Sequence, residues 1–206
     1  MASTPVGVVL AGGLGRRIGG AKAIVALSHR PLISYPVEAV WKALGNVAIV
    51  AKFDTELPSM PGAMVWIEPE EPRHPLTGIL HALGLAEGRP VVVCASDMPL
   101  VTAELIRGIA GAAPDGAPAV VASVDGALQP LLGCYQPSAL APLRAAAAHD
   151  PRIPLRKAVA GLHPRLYELD DPAYAFNVNS PADLLQAAGM LDRRRAGRPG
   201  YPNVKS

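Results

Sequence analysis

Short apolar runs alternate with segments of helical spacing along most of the chain. Apolar runs rich in β-branched residues are typical of buried strands, and apolar residues three or four positions apart are typical of amphipathic helices. This pattern predicts strands at residues 5–10, 47–51, 64–67, 91–95, 119–123, 131–135 and 166–168. It predicts helices at about residues 31–44, 76–86, 138–148 and 153–160, one that begins after Thr102, and a last one that begins at Ser180.

Two of these helices carry capping residues at their starts. Thr102 precedes apolar residues of helical spacing, and a threonine in the N-cap position accepts a hydrogen bond from the first turn. Ser180 is followed by Pro181, a residue favoured in the first turn, and by Asp183, which makes an acidic variant of the capping box. Both helices are therefore expected to begin at these residues.

The alternation of strands and helices predicts an α/β fold. We expect a Rossmann-like, doubly wound, mostly parallel sheet with helices on both faces and a small antiparallel addition, for which the strand at 131–135 is the candidate. No internal repeat or linker divides the chain, which predicts a single domain over residues 1–192. Residues 193–206 are basic and contain glycine and proline, a composition typical of a flexible tail.

Composition excludes several functional classes. The 206 residues are half apolar, and 19 basic against 17 acidic residues give a net charge of only +2, so neither nucleic acid nor a membrane surface is an expected partner. No apolar run approaches the roughly 20 residues that span a bilayer, and the N-terminal run is too short for a signal peptide. Cys94 and Cys134 stand in apolar surroundings, as buried thiols do in a reducing compartment, and the predicted location is the cytoplasm.

A glycine-rich segment follows the first strand. It contains Gly12, Gly13 and Gly15, and its basic residues include Arg17 and Lys22. Free backbone amides after a strand form a concave donor surface for phosphate, and fixed cations offset the charge of a triphosphate. A solvated turn is the alternative interpretation. The spacing between the last two glycines is one residue longer here than in the dinucleotide-binding fingerprint. The P-loop pattern is missing.

Asp97 directly follows the predicted strand at 91–95. Ligands of open α/β sheets bind at the carboxyl ends of the strands, so Asp97 is a candidate ligand for Mg²⁺, although it could also begin the turn before Pro99. Asn177 and Asn179 flank Val178 and face the same side if the segment is extended. Their amides could orient phosphate oxygens, or serve only turns and helix caps.

The glycine-rich segment resembles a family signature. Leu-Ala-Gly-Gly at residues 10–13, then Arg17, Gly19 and Lys22, is similar to the motif of the MobA-like nucleotidyltransferases, and most similar to that of the molybdenum cofactor guanylyltransferases. Asp97-Met98-Pro99 and the segment 177–181 resemble two further motifs of that family. The resemblance extends from Val6 to about Met190. It implies the fold of the nucleotide-diphospho-sugar transferases.

The resemblance also implies roles for individual residues. Arg17, Lys22 and Asp97 would be catalytic, with Asp97 as the Mg²⁺ ligand. The nucleotide would contact Leu10, Ala11, Gly12, Gly13, Gly15, Lys22, Glu71, Gly78 and Asp97. Glu71 stands seven residues before Gly78, where the guanylyltransferases place a base-binding aspartate, and Glu68 and Glu70 are close alternatives. The acceptor would contact Gln129, Arg152, Asn177 and Asn179.

Two positions depart from the family pattern. Ala21 stands where many relatives have aspartate, and His74 stands where they have glycine. Because that aspartate could support the lysine or the metal, activity or specificity could differ in this chain. His74 is expected to be a surface side chain.

The activity that the resemblance implies is Mg²⁺-dependent transfer of GMP from GTP to the terminal phosphate of molybdopterin, or of its molybdenum-bound form, with release of pyrophosphate. A molybdoenzyme or a chaperone would receive the product, and the protein would be a monomer or a weak homo-oligomer. One alternative is a related enzyme that uses CTP or another triphosphate, or another phosphorylated acceptor. A second alternative is a homologue that binds a nucleotide or a pterin without catalysis.

Overall fold

A computed structural model describes residues 4–12 and 22–196, excluding the side chain of Lys22. The strands are β1 Val6–Leu10, β2 Ala26–Leu27, β3 Arg30–Pro31, β4 Ala48–Ala51, β5 Met64–Ile67, β6 Val91–Ala95, β7 Ala119–Val124, β8 Ala127–Tyr135 and β9 Arg165–Glu168. The α-helices are α1 Ser34–Leu44, α2 Pro75–Leu85, α3 Ala103–Gly111, α4 Leu140–His149, α5 Leu155–Ala160 and α6 Pro181–Ala196. Short 3-10 turns lie at Lys22–Ile24, Pro137–Ala139 and Pro172–Ala175.

Seven of the strands form one sheet in the order β5-β4-β1-β6-β8-β7-β9. β1 is parallel to β4 and β6, β4 is parallel to β5, and β7 is parallel to β9. β8 is antiparallel to both of its neighbours, β6 and β7. The predicted fold class is therefore confirmed, with β8 as the antiparallel addition.

Helices cover both faces of the sheet because side chains alternate along buried strands. In β1, Val9 points into the core packed by α1 and α3, whereas Val6 and Val8 point into the core packed by α2, α4 and α5. A third, smaller cluster joins the β2–β3 hairpin to α6 and includes Leu27 and Val178. This third cluster anchors the asparagine-bearing segment near the end of β6.

The predicted helix caps are confirmed. Thr102 caps α3, since its hydroxyl accepts a hydrogen bond from the backbone N–H of Leu105 at 3.3 Å. Ser180 accepts from the N–H of Asp183 at 3.2 Å, and the Asp183 carboxylate accepts from the N–H of Asn179 at 2.8 Å. The reciprocal bonds fix the chain just before α6.

Several boundaries differ from the prediction. Helix α1 begins at Ser34 rather than at residue 31, because Pro31 pairs with Ala26 in the unpredicted β2–β3 hairpin. β8 begins at Ala127 rather than at 131, and Asp125 and Gly126 form its two-residue turn from β7 with φ of 51° and 74°.

Helix α6 also passes the predicted start of the tail. It continues to Ala196, and the guanidinium of Arg194 donates to the backbone oxygen of Leu100 at 2.6 Å and to Asp171 at 2.8 Å. The first part of the predicted flexible tail is therefore helical, and residues 197–206 lie outside the described part of the chain.

Over residues 4–12 and 22–196, no helix has the length and the apolar character that crossing a bilayer requires. Cys94 and Cys134 are buried and are not joined in a disulfide.

Candidate functional site

The candidate site lies where four neighbouring parallel strands end. Gly12 lies two residues beyond β1, and Asp97 lies two residues beyond β6. Leu10 and Ala95 are register partners, and the N–H of Ser96 donates to the oxygen of Leu10 at 3.0 Å. Gly12 and Asp97 therefore leave the sheet side by side, as expected for ligand-binding residues of an open α/β sheet.

The other two strands deliver a lysine and a glutamate to the same edge. Lys52 directly follows β4, and Glu68 directly follows β5. Ala51 and Ile67 are register partners, and the N–H of Glu68 donates to the oxygen of Ala51 at 2.9 Å. The residues that follow β1, β4, β5 and β6 therefore lie together at the carboxyl ends of these strands.

These strand ends surround a cavity of about 290 Å³. Its walls consist of Leu10, Gly12, Lys52, Glu68, Arg73, His74, Pro75, Gly78, Ala95, Ser96, Asp97 and Leu131. Four of the predicted nucleotide-binding residues, Leu10, Gly12, Gly78 and Asp97, are brought together here. Ala11 is buried beside them, with its N–H donating to the oxygen of Val50 at 2.8 Å. Gly13, Gly15, Arg17, Ala21 and the Lys22 side chain lie outside the described part of the chain.

A buried ion pair forms one wall of the cavity. The side chains of Lys52 and Glu68 are 2% and 5% exposed, and Nζ lies 3.4 Å from Glu68 Oε1. Lys52 Nζ also donates to the backbone oxygen of Pro69. Glu68 Oε2 is buried and has no hydrogen-bond partner within residues 4–12 and 22–196. This oxygen therefore has an unused hydrogen-bonding capacity among the described residues.

Burial and the lysine act in opposite directions on Glu68. Loss of hydration raises the pKa of the Glu68 carboxyl, and the Lys52 ammonium is the main group that lowers it. The net direction is a pKa above the ordinary value of 4.5.

Two glycines leave room for the Glu68 carboxylate. A Cβ on Gly12 would lie 2.7 Å from Oε1, and a Cβ on Gly78 would lie 3.1 Å from Oε2 and 3.2 Å from Leu10 Cδ2. Any larger residue at Gly12 would have to displace the carboxylate. The glycines of the family motifs are thus explained at these two positions by close approach.

Glu71, the residue that the sequence predicts to bind the base, does not line this cavity. The side chain is exposed, and its Oε2 accepts from the N–H of Arg73 at 3.2 Å. It lines a separate cavity of about 580 Å³ between α2 and α4, together with His74 and His81. Of the three neighbouring glutamates, only Glu68 lines the cavity of Asp97, because it alone directly follows the strand.

His74 and Glu70 have structural partners. Nδ1 of His74 accepts from the N–H of Leu76 at 3.2 Å, so this partly buried side chain caps helix α2 rather than lying free on the surface as predicted. Glu70 Oε2 lies 3.0 Å from Arg73, which also pairs with Asp54 at 2.8 Å. These contacts hold the connection between β5 and α2 over the cavity.

Asp97 is joined to the asparagine segment through the backbone. Its carbonyl oxygen accepts from the N–H of Val178 at 2.9 Å, and Val178 is fully buried. The amide of Asn177 donates to the oxygen of Ala175 at 2.8 Å, whereas Asn179 is exposed. Asn177 is therefore fixed beside the end of β6.

A further cavity of about 240 Å³ adjoins this segment. Its lining includes Gln129, Leu131, Arg156 and Asn177. The predicted Gln129 and Asn177 are thus brought together, but Arg152 is not. Arg152 is exposed and lies in the turn before α5, where its N–H donates to Asp150 at 2.9 Å. Arg156, in the first turn of α5, lines this cavity instead.

Asp97 is the candidate ligand for a divalent cation in the cavity of about 290 Å³. In the part of the chain that is described, no three His, Cys, Asp or Glu residues form a metal cluster. Mg²⁺ is commonly held by one or two carboxylates with phosphate oxygens and water, so a closed set of protein ligands is not required. Asp97 at a strand end suits that kind of shared site.

Known proteins resemble this chain over nearly all of its length. A molybdenum cofactor guanylyltransferase from Cereibacter sphaeroides is 35% identical over 191 residues, covering 90% of this chain and 96% of that protein. Molybdopterin-guanine dinucleotide biosynthesis protein A from Archaeoglobus fulgidus has a TM-score of 0.70 at 22% identity, covering 91% of this chain and 98% of that one.

The same fold also occurs in a cytidylyltransferase. The 2-C-methyl-D-erythritol 4-phosphate cytidylyltransferase from Thermus thermophilus has a TM-score of 0.67 at 19% identity, covering 91% of this chain and 99% of that one. The fold alone therefore does not select the base.

A family model described as the MobA-like NTP transferase domain matches residues 7–165. The matched range contains the strand ends that build the cavity, including Gly12, Lys52, Glu68 and Asp97. The chain therefore belongs to the MobA-like nucleotidyltransferase family.

Proposed function

We propose that this enzyme transfers GMP from GTP to the terminal phosphate of molybdopterin or of its molybdenum-bound form, releasing pyrophosphate. The observation that carries the proposal is the cavity in which Gly12, Gly78, Glu68 and Asp97 meet. The names of relatives such as the Cereibacter sphaeroides guanylyltransferase supply the choice of substrates.

Glu68, in place of Glu71, is the proposed acceptor for the guanine base. Guanine presents two adjacent donors, N1–H and the exocyclic amine, and an ionised carboxylate can accept from both. The unpartnered Oε2 of Glu68 supports this role, since a buried carboxylate oxygen is costly without a hydrogen bond. Gly12 and Gly78 would let the base approach the carboxylate.

Asp97 is the proposed Mg²⁺ ligand. When bound, the cation would neutralise phosphate charge and so favour departure of pyrophosphate. Amides of Gly12, Gly13 and Gly15, with the cations Arg17 and Lys22, are proposed to hold the triphosphate.

The cavity of about 240 Å³ that contains Gln129 and Asn177 is the proposed acceptor site. Gln129, Arg156 and Asn177 would orient the terminal phosphate of the pterin beside the end of β6. One of its oxygens would attack the α-phosphorus of GTP as the bond to the departing pyrophosphate breaks, so no covalent enzyme intermediate is needed. Positioning and charge neutralisation are what such a transfer chiefly requires. Asn179 would act from the adjacent exposed position.

The cellular setting follows from the same proposal. A cytoplasmic enzyme is consistent with two buried, unpaired cysteines. The guanine dinucleotide product would pass to a molybdoenzyme or a chaperone, from a monomer or a weak homo-oligomer.

Product analysis tests the activity. The full chain is incubated with Mg²⁺, molybdopterin and either GTP, CTP or ATP, and pyrophosphate and the pterin dinucleotide are measured. We expect both products to form fastest with GTP. Faster reaction with CTP would replace the proposed function by cytidylyl transfer. Binding of GTP without pyrophosphate release in the presence of the acceptor would indicate a non-catalytic homologue.

A further inference from the structure

Lys52 is a buried cation that none of the sequence motifs explains. Its side chain is 2% exposed, although lysine is rarely buried unless it has a partner. It stands directly after β4 and lines the cavity that contains Glu68 and Asp97. A buried charge of this kind requires either a structural or a functional reason.

The contacts of Lys52 favour one oxygen of Glu68. Nζ lies 3.4 Å from Oε1 and donates to the oxygen of Pro69, whereas Oε2 has no hydrogen-bond partner within the described ranges. The lysine thereby fixes the carboxylate through one oxygen, while the other oxygen is buried without a hydrogen-bond donor among the described residues. Each carboxylate oxygen has two lone pairs, so Oε1 can accept from Lys52 and still face a ligand.

The charge state of Glu68 determines which base edge it can match. As a carboxylate it offers two acceptors, which suit the paired donors N1–H and N2–H of guanine. As a neutral acid it offers one donor and one acceptor, which suit the ring nitrogen and amine of adenine or cytosine. Protonation of a single side chain would therefore change the base preference of the site.

We propose that Lys52 determines the base specificity of the cavity, by holding Glu68 through Oε1 as a carboxylate that selects guanine over adenine and cytosine. This inference rests on the proposed guanine site. Lys52 acts through Glu68 and is a positioning residue. The opposing effects of burial and of Lys52 on the pKa of Glu68 agree with this role.

Other charged groups around Glu68 do not replace Lys52. Glu70 raises the pKa of Glu68 and Arg73 lowers it, but both have weaker effects than Lys52. Arg73 is engaged with Asp54 and Glu70. His74 and Asp97 also line the cavity; burial lowers the pKa of His74, and its Nδ1 is used by the cap of α2. Among the described residues, Lys52 is thus the cation that lowers the pKa of the Glu68 carboxyl most.

Binding selectivity tests the inference. Dissociation constants for GTP, ATP and CTP are measured with the full chain and Mg²⁺ by calorimetry, without acceptor. Lys52→Met keeps an unbranched side chain and removes the charge. We expect its preference for GTP over ATP and CTP to fall by about 10-fold to 100-fold, the range of a lost hydrogen bond to a charged group. Lys42→Met is the control, because Lys42 makes an exposed ion pair with Glu38.

The pH dependence separates specificity from structural support. In Lys52→Met, the preference for GTP over ATP should be lost on acidification at a higher pH than in the wild type, because Lys52 no longer opposes protonation. Protonation of the triphosphate affects GTP and ATP alike, so its effect cancels in the ratio of their dissociation constants. If Lys52 only holds the connection at Pro69, Lys52→Met would weaken the binding of all three nucleotides alike and leave the pH profile unchanged. This result would overturn the inference.

Glu68→Gln keeps the inference open to refutation if Lys52→Met does not fold. The amide permanently offers one donor and one acceptor, so this variant should also lose the GTP preference, and unchanged preference would overturn the inference. If the wild type itself lacks a GTP preference, both the inference and the proposed guanylyl transfer fail. If the wild type prefers GTP and folded Lys52→Met does so equally, the inference fails while the proposed guanylyl transfer stands.

Discussion

Glu68 and Asp97 occupy comparable places but have different surroundings. Each closely follows a buried parallel strand and lines the same cavity. Glu68 lies against a buried lysine and between two glycines, whereas Asp97 is joined by its backbone to the asparagine segment. Ligands of open α/β sheets bind at the carboxyl ends of the strands, so both carboxylates are well placed for binding, and their different neighbours favour the different roles proposed for them. One carboxylate suits a base and the other suits a metal and phosphate.

The largest expected effect is at the Asp97 end. Asp97→Asn keeps the shape of the side chain and removes its charge, so turnover of GTP should fall by about 100-fold to 1,000-fold. The preference for GTP over ATP should be retained, because Glu68 is unchanged. Steady-state pyrophosphate release measures both quantities. Asp192→Asn is the control at a surface ion pair with Arg195. Wild-type turnover of Asp97→Asn would contradict the metal role.

A smaller loss is expected when the space around Glu68 is filled. Gly12→Ala places a Cβ 2.7 Å from Oε1 and should displace the carboxylate. We expect weaker GTP binding and a loss of about 1–3 kcal/mol in the free energy of unfolding, as in other overpacked sites. Calorimetry and denaturant unfolding measure these effects.

Gly84→Ala is the matched control for that substitution. Its Cβ would meet no atom within 4 Å in helix α2, so stability should stay the same or rise. Unchanged GTP binding in Gly12→Ala would show that close approach to Glu68 is not needed.

The acceptor side offers a comparison between two arginines. Arg156 lines the cavity with Gln129 and Asn177, whereas Arg152 lies in the preceding turn. Arg156→Met should raise KM for molybdopterin by about 10-fold without changing KM for GTP, since a charge-assisted contact to phosphate is lost. Arg152→Met should leave both KM values near those of the wild type. A raised KM for molybdopterin in Arg152→Met but not in Arg156→Met would instead support Arg152 as the acceptor contact. Arg107→Met, at a surface ion pair with Glu104, controls for loss of an arginine.

The smallest expected effect is on stability as a function of pH. Burial raises the pKa of Glu68, so the folded state favours the neutral acid relative to the unfolded state. This contribution is fully present below the ordinary pKa of 4.5 and is lost as the pH rises through the folded pKa. The Tm of the wild type relative to Glu68→Gln should therefore decrease from acidic towards neutral pH. If the Tm difference between the wild type and Glu68→Gln instead increased from acidic towards neutral pH, the expected direction would be wrong.

Much of the fold could be predicted because most elements have a clear apolar period. Buried strands such as Val6–Leu10 and Val91–Ala95 are continuous apolar runs, and Thr102 and Ser180 mark helix starts. The β2–β3 hairpin has only two residues in each strand, which is too short for any period. The first part of β8 is partly exposed, so its apolar pattern does not mark a strand start.

The site was less predictable, because counting residues between motifs does not locate a side chain in space. Glu71 has the motif spacing to Gly78, yet Glu68 lies in the cavity because β5 ends at Ile67. The position of Glu68 directly after an apolar run was an available signal, as it was for Asp97. Lys52 carried the same signal after β4, but its partner could be identified only once the strand order was known.

The most direct test is a structure of the complex with GTP and Mg²⁺. We expect guanine N1–H or N2–H within about 3 Å of the Glu68 carboxylate and the cation bound by Asp97 and phosphate oxygens. Guanine bound beside Glu71 in the cavity between α2 and α4, or a cation held away from Asp97, would contradict it.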